Sequence, residues 1–206
     1  LLLSMGAYTP LDGFMGEQDW QGVCNDMKLS DGLFWPIPVT LSAEQALADQ
    51  IELGEEIALI DGETQQIMAV MTVAEKFAPD LVLQCKKVFG TNDESHPGVA
   101  KVMAQPPVNL GGSVKVIEEG WFPEEFSDLY IRPDQARKMF EDMGWSKVAA
   151  FQTRNPMHRS HEHLVKIAID VTDGVFIHQV LGKLKPGDIP APVRVEAINA
   201  MIENYF

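Results

Sequence analysis

Residues 147–163 of this chain are KVAAFQTRNPMHRSHEH: a nearly continuous apolar run, a polar turn and the start of a helical pattern. An apolar run such as 147–151 is typical of a strand buried in a parallel sheet. The pattern predicts a helix over 157–169, a second strand over 175–181 and another helix from Val193 onward. Strand, helix, strand and helix in this order predict a βαβ unit.

The polar turn after the first strand has the features of an anion site. In open parallel sheets ligands bind where a strand passes into the following helix. Asn155 and Pro156 predict the N-cap and first turn of that helix, so the turn faces its free N–H groups. Arg154 adds a cationic fork that matches phosphate or sulfate, and Gln152, Thr153 and Asn155 can form directional hydrogen bonds. The alternative is a capped βα turn with a solvated arginine.

Two histidines follow this turn. His158 and His161 are three residues apart, so a helix places them on one face, near the predicted anion site. Imidazole titrates close to neutral pH, and contact with phosphate favours its charged form. We interpret this pair as functional, whereas His163 and His178 lack the same context and are interpreted as structural.

The same cluster does not have the spacing of a metalloprotease. H-E-x-x-H would require histidine at Val165, and H-x-x-E-H would require it at Arg159. The chain also contains neither a G-x-S-x-G nucleophile elbow nor a G-x-x-x-x-G-K-[ST] loop. The sequence therefore predicts no metal ligands and disfavours a P-loop NTPase.

The first part of the chain predicts a small, mostly β domain with barrel-like or sandwich-like topology. A capping box starting at Ser42 predicts a short helix that ends near Gln50. Asp61-Gly62 predicts a hairpin turn, and Gly111-Gly112 predicts another turn. The predicted strands are 56–60, 64–73, 81–87 and 113–117. A linker over 121–126 and a helix over 133–143 open the second part, so we expect a boundary near residue 125.

The charge is divided unevenly between the two parts. Residues 1–125 hold 20 Asp and Glu but 6 Lys and Arg, whereas residues 126–206 hold ten of each. Such an acidic chain repels polynucleotides and anionic lipid, yet its second part can still hold a small anion.

No apolar run approaches the ~20 residues of a membrane helix. Cys24 and Cys85 lack disulfide or metal spacing, which favours free thiols and a cytoplasmic location.

The stretch QTRNPMHRSHE, residues 152–162, closely resembles a motif of the ATP sulfurylase (sulfate adenylyltransferase) family, Q-x-R-N-P followed by H-x-x-H. Other segments resemble that family in the same order, so the resemblance spans essentially the whole chain. They are MGAYTPLDGFM (5–15), LFWPIPV (33–39), HPG (96–98) and KPGDI (185–189).

The resemblance implies an α/β plus β chain with an N-terminal PUA-like β-barrel domain, residues 1–125, and the first part of a Rossmann-like nucleotidyltransferase domain, residues 126–206. It implies that a sulfate oxygen attacks the α-phosphorus of ATP, which yields adenosine 5′-phosphosulfate and pyrophosphate. Mg²⁺ would enter as MgATP. A homo-oligomer is expected, with neither nucleic acid nor membrane as a partner.

The same resemblance implies roles for the residues of the motif. Gln152 and Arg154 would contact sulfate, and Thr153, Arg154 and Asn155 would act in catalysis. The ATP-binding set would comprise Gln152, Thr153, Arg154, Asn155, His158 and His161. Because sulfate is already a dianion, catalysis should rest on positioning and charge stabilisation rather than on a general base.

The family's second nucleotide motif, G-R-D-H, does not occur in this sequence and would be expected downstream of Phe206. Leu1 is not an initiator methionine, and the last helical pattern has no stop signal. We therefore expect a partial chain that is inactive alone, which synthesis of ATP from adenosine 5′-phosphosulfate and pyrophosphate by this chain would refute.

Three alternatives stay open at this point. One is another adenylyltransferase of the H-x-x-H or H-x-G-H kind, which the QTRNP stretch disfavours. A second is an RNA-binding module built on the PUA-like part, which the net charge of −14 disfavours. The third is a non-catalytic interaction subunit.

Overall fold

The computed structural model of the protein describes residues 2–182 and 187–206, which divide into a unit ending at Pro123 and a unit from Glu124 to Phe206. Leu1 and residues 183–186, which include the Lys185 and Pro186 of KPGDI, lie outside the described residues.

The N-terminal unit combines short strands with four helices. Its elements are β1 (Gly13–Phe14), α1 (Glu17–Asp26), β2 (Leu41–Ala43), α2 (Gln45–Gln50), β3 (Glu56–Ile60), β4 (Ile67–Thr72), β5 (Glu75–Phe77), α3 (Leu81–Phe89), α4 (Pro97–Met103) and β6 (Val108–Val116). The chain then continues through α5 (Phe122–Glu125), α6 (Pro133–Asp142), β7 (Val148–Thr153), α7 (Arg159–Val171), β8 (Gly174–Gln179) and α8 (Ala191–Tyr205).

One long strand, β6, organises the sheet of the N-terminal unit. It pairs antiparallel with β1, β2, β4 and β5, and β3 joins the sheet through β4. Met71 of β4 and Leu110 of β6 are buried in the main apolar cluster, beside α2. Within residues 2–182, no pairing joins β3 back to β1, so the sheet is open and the β-barrel that the resemblance implied is not closed.

Gly111 and Gly112 lie inside β6, where the sequence predicted a turn. Gly112 has φ +154°, and a Cβ there would collide with the carbonyl oxygen of Thr72 on β4. A Cβ on Gly13 of β1 would in turn collide with the carbonyl oxygen of Gly112. These glycines are required because three backbones approach more closely than any side chain allows.

The N-terminal unit has more helix than the sequence predicted. Residues 81–87, a predicted strand, belong to α3, whose Leu81, Cys85 and Phe89 recur at the helical period and pack in one apolar cluster. Asp80 caps this helix by accepting a hydrogen bond from the Leu83 N–H at 2.8 Å. The predicted short helix ending at Gln50 is confirmed as α2, although Ser42 lies in β2.

The C-terminal unit contains the predicted βαβ arrangement. Strands β7 and β8 pair in parallel, from Val148 opposite Gly174 to Thr153 opposite Gln179, and α7 connects them. Their inner faces pack with α7 and α8 on a cluster centred on Met157, Val165 and Ile198. The predicted helices over 133–143 and from residue 193 correspond to α6 and α8.

Among the described residues, no helix is long and apolar enough to cross a bilayer. Cys24 and Cys85 are both buried free thiols, as the sequence predicted.

Replacing Gly13 with alanine should lower the free energy of unfolding by about 2 kcal/mol, because the added methyl group must displace the β6 backbone. Urea unfolding of the full-length protein, followed by tryptophan fluorescence, measures the change. Gly62→Ala is the matched control, since a Cβ at Gly62 meets open space. Equal midpoints for the two variants would contradict the close approach of β1 and β6.

Candidate active site

The carboxyl ends of β7 and β8 lie side by side and carry polar side chains. The parallel register sets Gln152 opposite His178 and Thr153 opposite Gln179. Gln152 Nε2 lies 3.2 Å from His178 Nδ1, and both side chains are exposed. His178, which the sequence analysis interpreted as structural, therefore stands at the same edge as the motif. Its position near the end of the second predicted strand was the signal that could have placed it there.

Thr153 shapes the turn that follows β7. Its side chain is 8% exposed. The hydroxyl donates to the carbonyl oxygen of Asn155 at 3.0 Å and accepts from the N–H of Asn155 at 3.0 Å. Because its only proton is used on the backbone, Thr153 holds the turn instead of donating toward solvent.

Helix α7 begins later than the sequence predicted. Its first residue is Arg159 and its N-cap is His158, so the prediction of Asn155 as N-cap and Pro156 in the first turn is wrong. His158 has extended backbone (φ −138°, ψ −178°), and Met157 before it is buried in one apolar cluster with Val165, so the chain is anchored in the core before the helix begins. The positive end of the helix dipole therefore lies at His158, beyond the turn itself.

His158 and His161 form one compact pair at the start of α7. Their ring centroids are 4.0 Å apart, and the His161 ring also packs edge-on against Phe151. The backbone N–H of His158 donates to His161 Nδ1 at 3.2 Å, while Ser160 Oγ lies 2.9 Å from His158 Nδ1. With Nδ1 of His161 accepting, its Nε2 carries the proton of the neutral ring and can donate it to a ligand.

Burial lowers the pKa of His161 below its ordinary 6.5, and repulsion by His158 lowers it further. His161 is therefore mainly neutral at pH 7. An anion bound against the pair would favour the protonated ring and so raise the pKa of His161.

Arg154 points to an acidic partner rather than into open solvent. Its Nη2 lies 2.6 Å from Oδ2 of Asp188, with side-chain exposures of 37% for the arginine and 15% for the aspartate. The guanidinium therefore already holds an anionic oxygen. Because a guanidinium has five N–H donors, it can bind a second oxyanion beside this carboxylate or in its place.

Arg194 of α8 belongs to the same group of residues, and sequence reasoning missed it. It is 1% exposed, and its Nη1 donates to the carbonyl oxygens of Arg154 at 3.0 Å and Val180 at 2.6 Å. The available signal was its spacing, four residues before the buried Ile198, which places a charge on the core-facing side of a predicted helix.

Two acidic side chains of the βαβ unit, Glu162 and Asp173, are occupied structurally. Glu162 is buried and accepts from Lys166 at 2.7 Å and Arg159 at 3.1 Å, and these bonds lower its pKa. Asp173, at the opposite edge of the sheet, accepts from the backbone and hydroxyl of Ser146 and from the Lys147 N–H. Within the described residues, no three His, Cys, Asp or Glu side chains cluster closely enough to hold a metal ion.

Sequence models of two families match this chain. One, described as PUA-like domain, matches residues 1–119, and the other, described as ATP-sulfurylase, matches residues 127–206. Proteins named sulfate adenylyltransferase are similar over the whole chain in Pelodictyon phaeoclathratiforme (60% identical), Syntrophobacter fumaroxidans (58%) and Thiobacillus denitrificans (54%). The chain covers 51%, 50% and 50% of these proteins, so it spans about half of their length.

A solved structure described as a hexameric APS kinase from Thiobacillus denitrificans also matches. The TM-score is 0.68 at 25% identity, and the match covers the whole of this chain but 36% of that protein.

Replacing His158 with glutamine should raise the pKa of His161, because it removes one of the two causes that lower it. NMR titration of the full-length protein with ¹³C-labelled histidine measures the shift. His163→Gln, at an exposed position on α7, is the control and should leave the His161 titration unchanged.

In the unsubstituted protein His161 should titrate below 6.5. Between its lowered pKa and 6.5 the unfolded chain binds a proton that the folded chain does not, so this residue costs stability as the pH falls through that range. A titration of His161 at or above 6.5 would contradict the packing of the pair.

Proposed function

Because this chain belongs to the ATP-sulfurylase family, we propose that the protein is a sulfate adenylyltransferase, which transfers AMP from ATP to sulfate and forms adenosine 5′-phosphosulfate and pyrophosphate. The observation that carries the proposal is the convergence of Gln152, Arg154 and the His158–His161 pair at the carboxyl end of a parallel βαβ unit. Open parallel sheets bind their ligands at this edge.

The domain organisation follows from the same reasoning. Residues 1–125 form the PUA-like domain, and residues 126–206 form the first part of a Rossmann-like nucleotidyltransferase domain. The parallel pairing of β7 with β8 through α7 supports this assignment, since it is the repeating unit of such folds. The substrates ATP and sulfate fit a cytoplasmic enzyme.

Sulfate is the substrate of the Gln152 and Arg154 group. The Arg154 guanidinium already pairs with a carboxylate, so the same donors suit an oxyanion of similar charge density. Gln152, exposed at the strand end, contributes its amide N–H groups. Both side chains donate hydrogen bonds, and neither needs to change its charge during the reaction.

The phosphates of ATP lie against the start of α7. There the N–H groups of the first helical turn and the helix dipole attract negative charge. His161 donates from Nε2 and His158 lies beside it, so the pair contacts the phosphate chain. Asn155 is exposed and lies between Arg154 and His158 in the sequence. Mg²⁺ enters with ATP as part of the substrate and neutralises phosphate charge.

The reaction then requires little proton chemistry from the protein. A sulfate oxygen forms a bond to the α-phosphorus, the bond from that phosphorus to the bridging oxygen breaks, and pyrophosphate leaves with the electron pair. The protein aligns the two anions and offsets their repulsion. Glu162 and Asp188, the nearby acids, are each paired with a cation and so are not set up as bases.

The protein also forms a homo-oligomer in this proposal. The support is the likeness to a protein described as hexameric, whose chain this one covers in part.

Replacing Arg154 with alanine in the full-length protein should lower kcat/KM for sulfate by about 100-fold or more, the cost of losing a principal donor to the reacting anion. Arg154→Lys should also be impaired, because an ammonium keeps the charge but loses the planar fork. Sulfate-dependent release of pyrophosphate from MgATP measures the rate.

Arg137→Ala, at an exposed position on α6, is the control and should have the rate of the unsubstituted protein. Unchanged turnover in Arg154→Ala would refute the role of Arg154. Absence of sulfate-dependent pyrophosphate release in the unsubstituted protein would refute the proposed activity itself.

A further inference from the structure

Arg194 is a buried charge that the reaction described above does not use. Its side chain is 1% exposed, and no Asp or Glu of the described residues forms an ion pair with it. Its Nε is buried and has no hydrogen-bond partner within residues 2–182 and 187–206. Burying an unneutralised guanidinium costs folding free energy, and an apolar side chain of similar size would avoid that cost.

The guanidinium lies where the two parallel strands end. Arg154 directly follows β7, and Val180 directly follows β8. The Nη1 of Arg194 donates to the carbonyl oxygens of both residues. The N–H of Val180 also donates to the carbonyl of Thr153 at 3.0 Å, which extends the strand pairing to this point. Arg194 therefore joins the two chain segments at the edge where a ligand would bind.

The peptide that links Arg154 to Asn155 is held at both of its ends. Its carbonyl accepts from Arg194, and its N–H donates to Thr153 Oγ1. Because both partners are buried, this peptide cannot rotate without breaking a buried hydrogen bond. The carbonyl oxygen is directed toward the guanidinium, which offsets its negative partial charge.

Resting on the proposed function, we infer that Arg194 is the positioning residue of the sulfate subsite. It fixes the main chain that carries the Arg154 fork. It also offsets the negative charge of two carbonyl oxygens beside the subsite, and its unneutralised charge favours a dianion at the strand ends. Charges interact strongly in the protein interior, so this contribution does not require direct contact with sulfate.

This role predicts that a substitution of Arg194 impairs the use of sulfate but not the binding of MgATP. In the full-length protein, Arg194→Met should lower kcat/KM for sulfate by about 100-fold, the scale expected when a reacting group is misplaced by about 1 Å. The KM for MgATP should stay close to its original value, because the His158–His161 pair is held by α7 and Phe151 rather than by Arg194. Arg194→Lys should recover part of the loss, since it restores the charge and one donor.

Arg137→Met, which removes an exposed arginine of α6, is the matched control and should leave both parameters unchanged. If Arg194→Met and Arg194→Lys both keep the original kcat/KM for sulfate, the inference is overturned. A rise in the KM for MgATP by the same factor as the loss of kcat/KM for sulfate would overturn it as well, because it would indicate a general structural role.

Two measurements judge the inference without turnover. In Arg194→Lys, amide hydrogen exchange should accelerate over residues 153–157 while α7 stays protected, and calorimetry should show weaker sulfate binding than in the unsubstituted protein. Unchanged exchange together with unchanged sulfate affinity would overturn the inference. An unsubstituted protein that binds sulfate but never releases pyrophosphate would instead refute the proposed function alone.

Discussion

The parallel register between β7 and β8 is the constraint on which the site depends. It places Gln152 beside His178 and Thr153 beside Gln179, so polar groups that are far apart in sequence meet at one edge of the sheet. A slip of one residue would turn each of these side chains to the opposite face. The apolar residues before them, including Phe151 and Val175, pack on the buried cluster and prevent such a slip.

Three buried side chains build the turn that leaves this edge. Thr153 holds the Asn155 backbone, Met157 fixes the chain in the core, and Arg194 binds the carbonyl of Arg154. Next to these anchors the chain exposes Gln152, Asn155 and His158. The arrangement resembles the usual division of labour in a binding loop, in which buried groups fix the backbone and exposed groups meet the ligand.

Electrostatics limits what such a loop can bind. Arg154 and Arg194 bring two cations to the strand ends, while Asp188 neutralises one of them. An incoming dianion therefore meets a preorganised but restrained positive site. Partial neutralisation of the two cations suits a ligand that must bind and then leave as product. Complete neutralisation within the protein would abolish the attraction for the anion, whereas two free guanidinium groups would retain the product.

The sequence predicted the C-terminal unit well because its signals are local. An apolar run, a helical period and a second apolar run are sufficient to define β7, α7 and β8. It failed where distant backbone decides the outcome. Gly111 and Gly112 have the composition of a turn, but they lie in β6, where the backbones of β1 and β4 approach closely.

The candidate site was predictable from the sequence only where its residues are close together along the chain. The motif residues follow directly from sequence, whereas Arg194 lies 40 positions from Arg154 and meets it only through the packing of α8. The sequence also predicted the wrong N-cap for α7. Tertiary packing again explains the error, because the burial of Met157, rather than the Asn155-Pro156 pair, sets where the helix begins.

The most direct measurement is a crystal structure of the full-length protein with adenosine 5′-phosphosulfate. The oxyanion assignment predicts sulfuryl oxygens within hydrogen-bond distance of the Gln152 amide and the Arg154 guanidinium, with the phosphate on the side of His158 and His161. A sulfuryl group bound elsewhere, with Arg154 engaged by Asp188 alone, would contradict it.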